Sequence, residues 1–378
     1  MGYESLIEQN KDWVENTWQK LDAKLSRLAE KNYDFIPYTT ENGAHVAKGT
    51  PKGIAWWTNG FWGGLMWLMY SETRKDCYLN AGRRAEALLG GAWSFPEKLH
   101  HDVGFMWNLT SGGSFTLTAD KNSYETSMKA ADFLLNRYNE KGDYIVAWNG
   151  EDKKEKSIID TMMNLSLLYW ASEQTGDPKY AEVAKKHADM ALRDHIRPDG
   201  SVVHIVCHDT ERPGVIETLA GQGYGVGSAW SRGASWAIYG FVLSYVHTKE
   251  ERYLDAAKRT AHYALANLAL SDWLPLIDFR APETPVAYDS TAGAITACGL
   301  IEIAKHVPEL EKDLYLKSAL NILKAIETKF CNWTEEEDGI LMGGSERYGN
   351  GENINIIYGD YYFAEAILKL KGNKFLPW

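Results

Sequence analysis

An all-α fold, an (α/α)6 barrel of six helical hairpins forming one domain over residues 1–378, is predicted by three observations. A polar residue six times opens an apolar helical run: Asn59 in WTNGFW, Asp102 in HHDVGF, Asp160 in IIDTMM, Arg232 in WSRGAS, Asp289 in YDSTAG and Asp360 in YGDYYF. Five of these runs lead through a short polar turn to a tyrosine that begins a second helix, at Tyr78, Tyr124, Tyr180, Tyr253 and Tyr315. Within each pair the first helix is apolar almost all round, while the second carries Lys, Arg and Glu on one face. A helix apolar on every side is a buried one, so the first helices form an inner ring and the second an outer ring. Each unit then buries its apolar face only against its neighbours, and the six polar openings gather at one end.

The elements follow in order. Leu6, Trp13, Trp18, Leu21, Leu25 and Leu28 stand at helical spacing, so residues 5–30 form an amphipathic helix without a partner of its own in sequence. The hairpins pair 60–73 with 77–90, 103–118 with 123–138, 161–176 with 178–193, 233–248 with 251–268, and 290–307 with 313–330. Pro178 sits acceptably at a helix start. A last helix over 360–372 closes the series. DYIVAW (143–148) and SVVHIVCH (201–208) alternate as short strands within long connections.

Composition narrows the function classes. A net charge of −11 argues against nucleic acid or an anionic membrane surface, both of which demand a basic face. There is no signal-like opening and no run of 18 apolar residues, which leads to the expectation of a soluble cytoplasmic protein. Cys77, Cys207, Cys298 and Cys331 lack Cys-x-x-Cys spacing and suit free thiols in a reducing compartment. The 15 Trp and 21 Tyr suggest flat faces lining a ligand groove, leaving a small anionic ligand as the expected partner of a monomer or weak homo-oligomer.

The long returns from outer to inner helix hold Trp56, Trp57, His100, His101, Trp148 and Trp230, and such loops concentrate binding residues. Asp102 and Asp160 open adjacent inner helices, whose axes lie about 8–10 Å apart, so their carboxylates fall roughly 5–10 Å from each other. Paired carboxylates at that range act on glycosides, although each aspartate alone could equally be a helix N-cap. The apolar residues before Asp160 predict a desolvated carboxyl with a raised pKa, as a general acid requires. Arg232 offers a planar fork to an anionic ligand, or an ion pair to Asp289 or Asp360. Trp57, Trp148, Trp230 and Trp236 could stack on a sugar or pack the core. His204 and His208 are four apart in a strand, which separates their imidazoles by about 13 Å and argues against a metal site. No metal and no organic cofactor is expected.

The stretches WWTNGFWGG, HHDVGF, IIDTMMNLSLLYWASEQTGDPKY, SAWSRGASWAIYGF, residues 289–304 and YGDYYFAEA resemble the unsaturated glucuronyl hydrolases of glycoside hydrolase family 88 over nearly the whole chain. The resemblance implies an (α/α)6 barrel, Asp160 as general acid and base, and Asp102 as the second essential aspartate. It implies substrate contacts from Trp57, His101, Trp148, His204, Gln222, Trp230, Arg232 and Trp236. The reaction implied is hydration of the C4=C5 vinyl ether of an unsaturated uronic acid at the non-reducing end of a lyase-generated oligosaccharide. Two positions depart from the family. Asn59 replaces an aspartate frequent in the first motif while keeping its place among the binding candidates. Residues 345–350 read Ser-Glu-Arg-Tyr-Gly-Asn where sulfate-preferring members carry Ser-x-x-Ser-x-Lys. Ser345 matches and is carried as a contact, as is Tyr348 in the position of the second serine, but the lysine is absent, which argues against a sulfated substrate. An unsaturated rhamnogalacturonyl hydrolase, a sugar 2-epimerase-type isomerase on the same barrel and a non-catalytic scaffold remain alternatives.

Overall fold

The computed structural model describes residues 3–49 and 51–378. Among these, six inner helices form a closed ring. They are Gly60–Thr73, a composite second helix, Thr161–Thr175, Ser231–Thr248, Ser290–His306 and Ile357–Lys371, each packing on the next and the sixth on the first. The composite consists of Val103–Trp107, a π-helical turn Asn108–Gly112 and Gly113–Thr118. The outer helices are Asp76–Leu89, Lys121–Leu135, Lys179–Asp194, Glu251–Ala269 and Glu309–Phe330. The amphipathic Lys11–Lys31 packs against the sixth inner helix, so the element without a sequence partner completes the outer ring. It is preceded by a separate short helix, Tyr3–Gln9.

The predicted barrel is therefore present, and its cause is visible in the burial. Every residue from Ser290 to Ala304 in the fifth inner helix is buried, whereas the outer helices bury one face. Small residues permit the inner helices to approach closely. A Cβ at Gly104 would stand 2.7 Å from the Cα of Asn164, so glycine lets the second and third inner helices meet there. One continuous apolar cluster extends from Leu6 to Trp378. No described helix is long and apolar enough to cross a membrane.

Strands are confined to the connections. Thr39–Glu41 pairs with Ala44–Val46, Tyr138–Asn139 with Tyr144–Ile145, and Gly344–Arg347 with Asn350–Ile354, all antiparallel. A three-stranded sheet places Ile205–His208 between Lys156–Ile158 and Val215–Leu219. The expected strands at 143–148 and 201–208 are present in shortened form. The hairpins at 39–46 and 344–354 were not expected, although Asn42-Gly43, both at positive φ, is a two-residue hairpin signature.

A buried polar cluster joins the two strands that lead into the site. His195 Nδ1 lies 2.8 Å from the carbonyl of Val203 and donates to it, which leaves Nε2 to accept from the Ser157 hydroxyl at 2.8 Å. Ser157 Oγ in turn accepts from His208 Nε2 at 2.7 Å. Burial holds both imidazoles down to about 4 from an ordinary 6.5. They are neutral in the fold and gain protons on unfolding, so the unfolded state binds more protons between those two values. Their contribution to stability is complete above pH 6.5 and is lost as the pH falls towards 4. Thermal melts across this window should show Tm falling with acid, with a flatter slope for His195→Gln; equal slopes would contradict the assignment.

Candidate active site

The N-terminal ends of the inner helices and the long returns enclose a cavity of about 450 Å³, within the usual range for a small-molecule site. Asp102, Asp160, Trp57, His101, Trp148, His204, Gln222 and Arg232 line it, as the sequence anticipates.

Neither catalytic candidate caps its helix. Asp102 and Asp160 occupy the N-cap positions, yet neither side chain accepts a hydrogen bond from its helix's first turn. Asn164 instead connects them: its Nδ2 donates to Asp102 Oδ1 and to the Asp160 backbone carbonyl, both at 3.2 Å, and its Oδ1 accepts from the Phe105 amide at 2.8 Å. Asp160 Oδ1 is buried without a hydrogen-bond partner, in a residue only 8% exposed. An ionisable oxygen left unpaired at a cavity wall is available to a ligand.

The electrostatics revise one expectation. The sequence placed the raised carboxyl at Asp160, but the group that the structure pushes well above the ordinary carboxylate range is Asp102, through burial and then the nearby charge of Asp160. The apolar Ile158 and Ile159 suggested desolvation at the second aspartate, while the burial of the first depends on packing that local sequence does not display. Its neighbours are neutral imidazoles. His100 is held at about 4 and His101 well below 6.5, in both cases chiefly by burial. Their Nδ1 atoms lie 3.6 and 3.4 Å from the Asp102 carboxylate. His100, His101 and Asp102 form the single cluster of potential metal ligands among the described residues. Two of its atoms already have partners, His101 Nδ1 at Thr161 Oγ1 and Asp102 Oδ1 at Asn164.

His204 is oriented by backbone. Its Nδ1 accepts from the Gln222 amide at 2.9 Å, so the ring proton resides on Nε2, which faces Asp160 Oδ1 at 3.5 Å. The turn that presents this amide requires Gly221. Its φ is +62°, and a Cβ there would fall 2.1 Å from His204 Nδ1. Gly221→Ala should therefore displace the imidazole and lower kcat/KM by about tenfold or more, the usual scale for disturbing a positioned group. Wild-type kinetics in that variant would remove His204 from the site's working geometry. His208, past a register shift at Cys207/His208, belongs to the Ser157 cluster and not to this cavity.

Arg232 takes the second of its two predicted roles. It is 1% exposed and pairs with Asp289, while also donating to the carbonyls of Ser345 and Glu346. Asp289 caps its own helix at Thr291 N. Arg232 thus fastens the 344–347 strand to the barrel, and only part of its guanidinium faces the cavity. Asp360 accepts from the amides of Ile340 and Leu341 and from Asn355 Nδ2, pinning a loop and not capping a helix.

Five expected contacts lie outside the cavity wall. Asn59 spends its amide on the carbonyls of Gly53 and Ile54, both at 2.8 Å. Trp230 packs behind the site against His204 (4.2 Å between centroids) and Arg232, and Trp236 is core beside Phe105. Ser345 is buried with its hydroxyl on the Arg347 carbonyl, and Tyr348 packs on Tyr224 beside a separate cavity. Conversely, Tyr38, Lys48, Glu346, Arg347 and Tyr358 line the main cavity without having been expected. Most of them come from the two unanticipated hairpins or their flanks, for which Asn42-Gly43 was the available signal.

No protein-family model matches the chain. The unsaturated chondroitin disaccharide hydrolase of Streptococcus pneumoniae is 33% identical over 381 aligned positions, covering 96% of this chain and 94% of that protein. The crystal structure of the unsaturated glucuronyl hydrolase from Bacillus sp. GL1, responsible for the degradation of glycosaminoglycan, superimposes with a TM-score of 0.87 at 32% identity, covering 94% of this chain and 97% of that one. A UGL with an aspartate replaced by asparagine, solved with dGlcA-Glc-Rha-Glc, gives a TM-score of 0.86 at 33% identity over 94% of this chain and 96% of that one. With sequence and fold shared over almost the full length of these proteins, the chain belongs to the unsaturated glucuronyl hydrolase family of glycoside hydrolases.

Proposed function

We propose that the enzyme removes the 4,5-unsaturated glucuronic acid from the non-reducing end of lyase-generated, glycosaminoglycan-type oligosaccharides. The observation that carries this reading is the aspartate pair, with Asp160 Oδ1 unpaired at the cavity wall and the Asp102 carboxyl held towards its protonated form. Burial and the neighbouring carboxylate favour a proton on Asp102, beside Asp160. Asp160 delivers a proton to C4 of the C4=C5 bond, and water activated by the resulting carboxylate adds at C5. The hemiketal opens to a C5 ketone, and the hemiacetal left at C1 releases the remaining sugar. No glycosyl-enzyme forms, so the carboxylate separation does not dictate a stereochemical outcome. Asp102 holds the ring hydroxyls and supports Asp160, His204 Nε2–H stands 3.5 Å from Asp160 Oδ1 and is free to donate to the substrate, and Trp57 and Trp148 offer ring faces to the sugar. Free cysteines at 77, 207, 298 and 331 support a reducing, cytoplasmic setting.

Purified protein incubated with unsaturated chondroitin, hyaluronan, heparin and rhamnogalacturonan disaccharides should abolish the near-ultraviolet absorbance of the C4=C5 bond in at least one glucuronyl substrate. Turnover of the rhamnogalacturonan product alone would reassign the substrate, and no loss of absorbance with any would refute the reaction.

A further inference from the structure

Behind the cavity the inside of the ring is packed with aromatic side chains, and one of them comes from outside the six hairpins. After the last inner helix, Ile357–Lys371, the Asn373 amide group donates to Glu72 Oε2 at 2.8 Å and to Ser71 Oγ at 3.2 Å, near the end of the first inner helix. The chain then turns back into the barrel and buries Trp378. The Trp378 ring lies parallel to Tyr362, 5.8 Å between centroids, and edge-on to Phe105, Tyr239 and Tyr361 at 6.0, 6.1 and 6.1 Å. These neighbours belong to the second, fourth and sixth inner helices, so the ring sits between them. The two parts of the indole do different things there. Its Nε1 donates to Glu365 Oε2 at 2.9 Å, while Glu365 Oε1 accepts from the Tyr239 hydroxyl, which satisfies a buried carboxylate. Its ring packs on Phe105, and Phe105 in turn stands 5.3 Å from Trp57, a residue of the cavity wall. Interiors packed at this density transmit a displacement from one ring to the next.

We propose that Trp378 is a positioning residue for substrate binding: its ring supports Phe105, and Phe105 holds Trp57 at the angle at which it meets the unsaturated sugar. The inference rests on the reaction proposed above, which sets Trp57 against that sugar. Trp378 itself lies behind two further rings and acts only through them. Its hydrogen bond to Glu365 is a separate contribution, to stability and not to binding.

The test measures kcat, KM and Tm with one unsaturated disaccharide for the wild type, Trp378→Ala, Trp378→Leu, Trp378→Phe, Phe105→Leu and the double variant Trp378→Ala with Phe105→Leu. Partial unfolding removes active molecules, so it lowers kcat and leaves KM alone, whereas a displaced Trp57 raises KM. Trp378→Ala, or Trp378→Leu where alanine does not fold, should raise KM about tenfold, the scale of disturbing a positioned group. Trp378→Phe returns a ring to Phe105 but no donor to Glu365, so KM should recover while Tm stays low. In the double variant Trp378→Ala should add little to the KM of Phe105→Leu, because both act through the same ring. The positioning role would be overturned, with the reaction left standing, by an unchanged KM in the alanine and leucine variants, by a KM in Trp378→Phe as high as theirs, or by full multiplication of the two effects in the double variant. Wild-type protein that leaves the disaccharide intact would instead overturn the reaction itself.

Discussion

Asp160→Asn should lower kcat/KM by about 10²–10⁴-fold, the usual worth of a positioned general acid, while its melting curve stays that of the wild type. The substitution keeps the shape of the side chain. Because Asp160 Oδ1 accepts no hydrogen bond and the side chain caps no helix, an amide there sacrifices no partner. Asp160→Ala should likewise spare the Tm, where the loss of an N-cap would cost about 1 kcal/mol. Asp102→Asn should also reduce turnover, and for a different reason. Asn164 can still donate to the amide oxygen at this position, so the loss reflects the missing acidic proton and the altered charge beside Asp160. Substantial activity in Asp160→Asn would remove the residue from proton transfer.

Arg232→Met should have the opposite profile, a stability loss of about 3–5 kcal/mol, the cost of leaving one partner of a buried pair uncompensated. The residue left behind is Asp289, itself fully buried, together with the carbonyls of Ser345 and Glu346. Calorimetry should show a large fall in Tm, and Arg232→Met combined with Asp289→Asn should recover much of it, since the double variant no longer strands a charge. A weakened KM with unaffected Tm would mean that Arg232 acts as a free holder of the uronate carboxylate and not as a fastener of the 344–347 strand.

The barrel was legible because its signal is long and repeated. Inner helices such as 290–304 are apolar on every side and their outer partners on one, a contrast that survives any error in helix ends. Asp102 and Asp160 were legible for the same reason: position at the start of adjacent inner helices places them together whatever the loops do. The loops themselves were less readable. Lys48 and Arg347 come from hairpins of three to five residues per strand, too short for periodicity to reveal. The role of Arg232 depended on which of three carboxylates lay within reach, and the raised pKa of Asp102 on burial contributed by distant segments. Asn59 shows the converse limit: a polar residue in a conspicuous motif can be consumed by its own preceding turn at Gly53 and Ile54.

The proposed hydration of the C4=C5 bond differs from direct cleavage of the glycosidic bond in where a solvent proton is taken up. Turnover of an unsaturated disaccharide in D2O, followed by NMR of the released uronic acid, tests this most directly. One solvent deuterium should appear at C4 in the first-formed product, with disappearance of the alkene signal in step with release of the second sugar. Release of that sugar with the C4=C5 bond intact and C4 free of deuterium would contradict it.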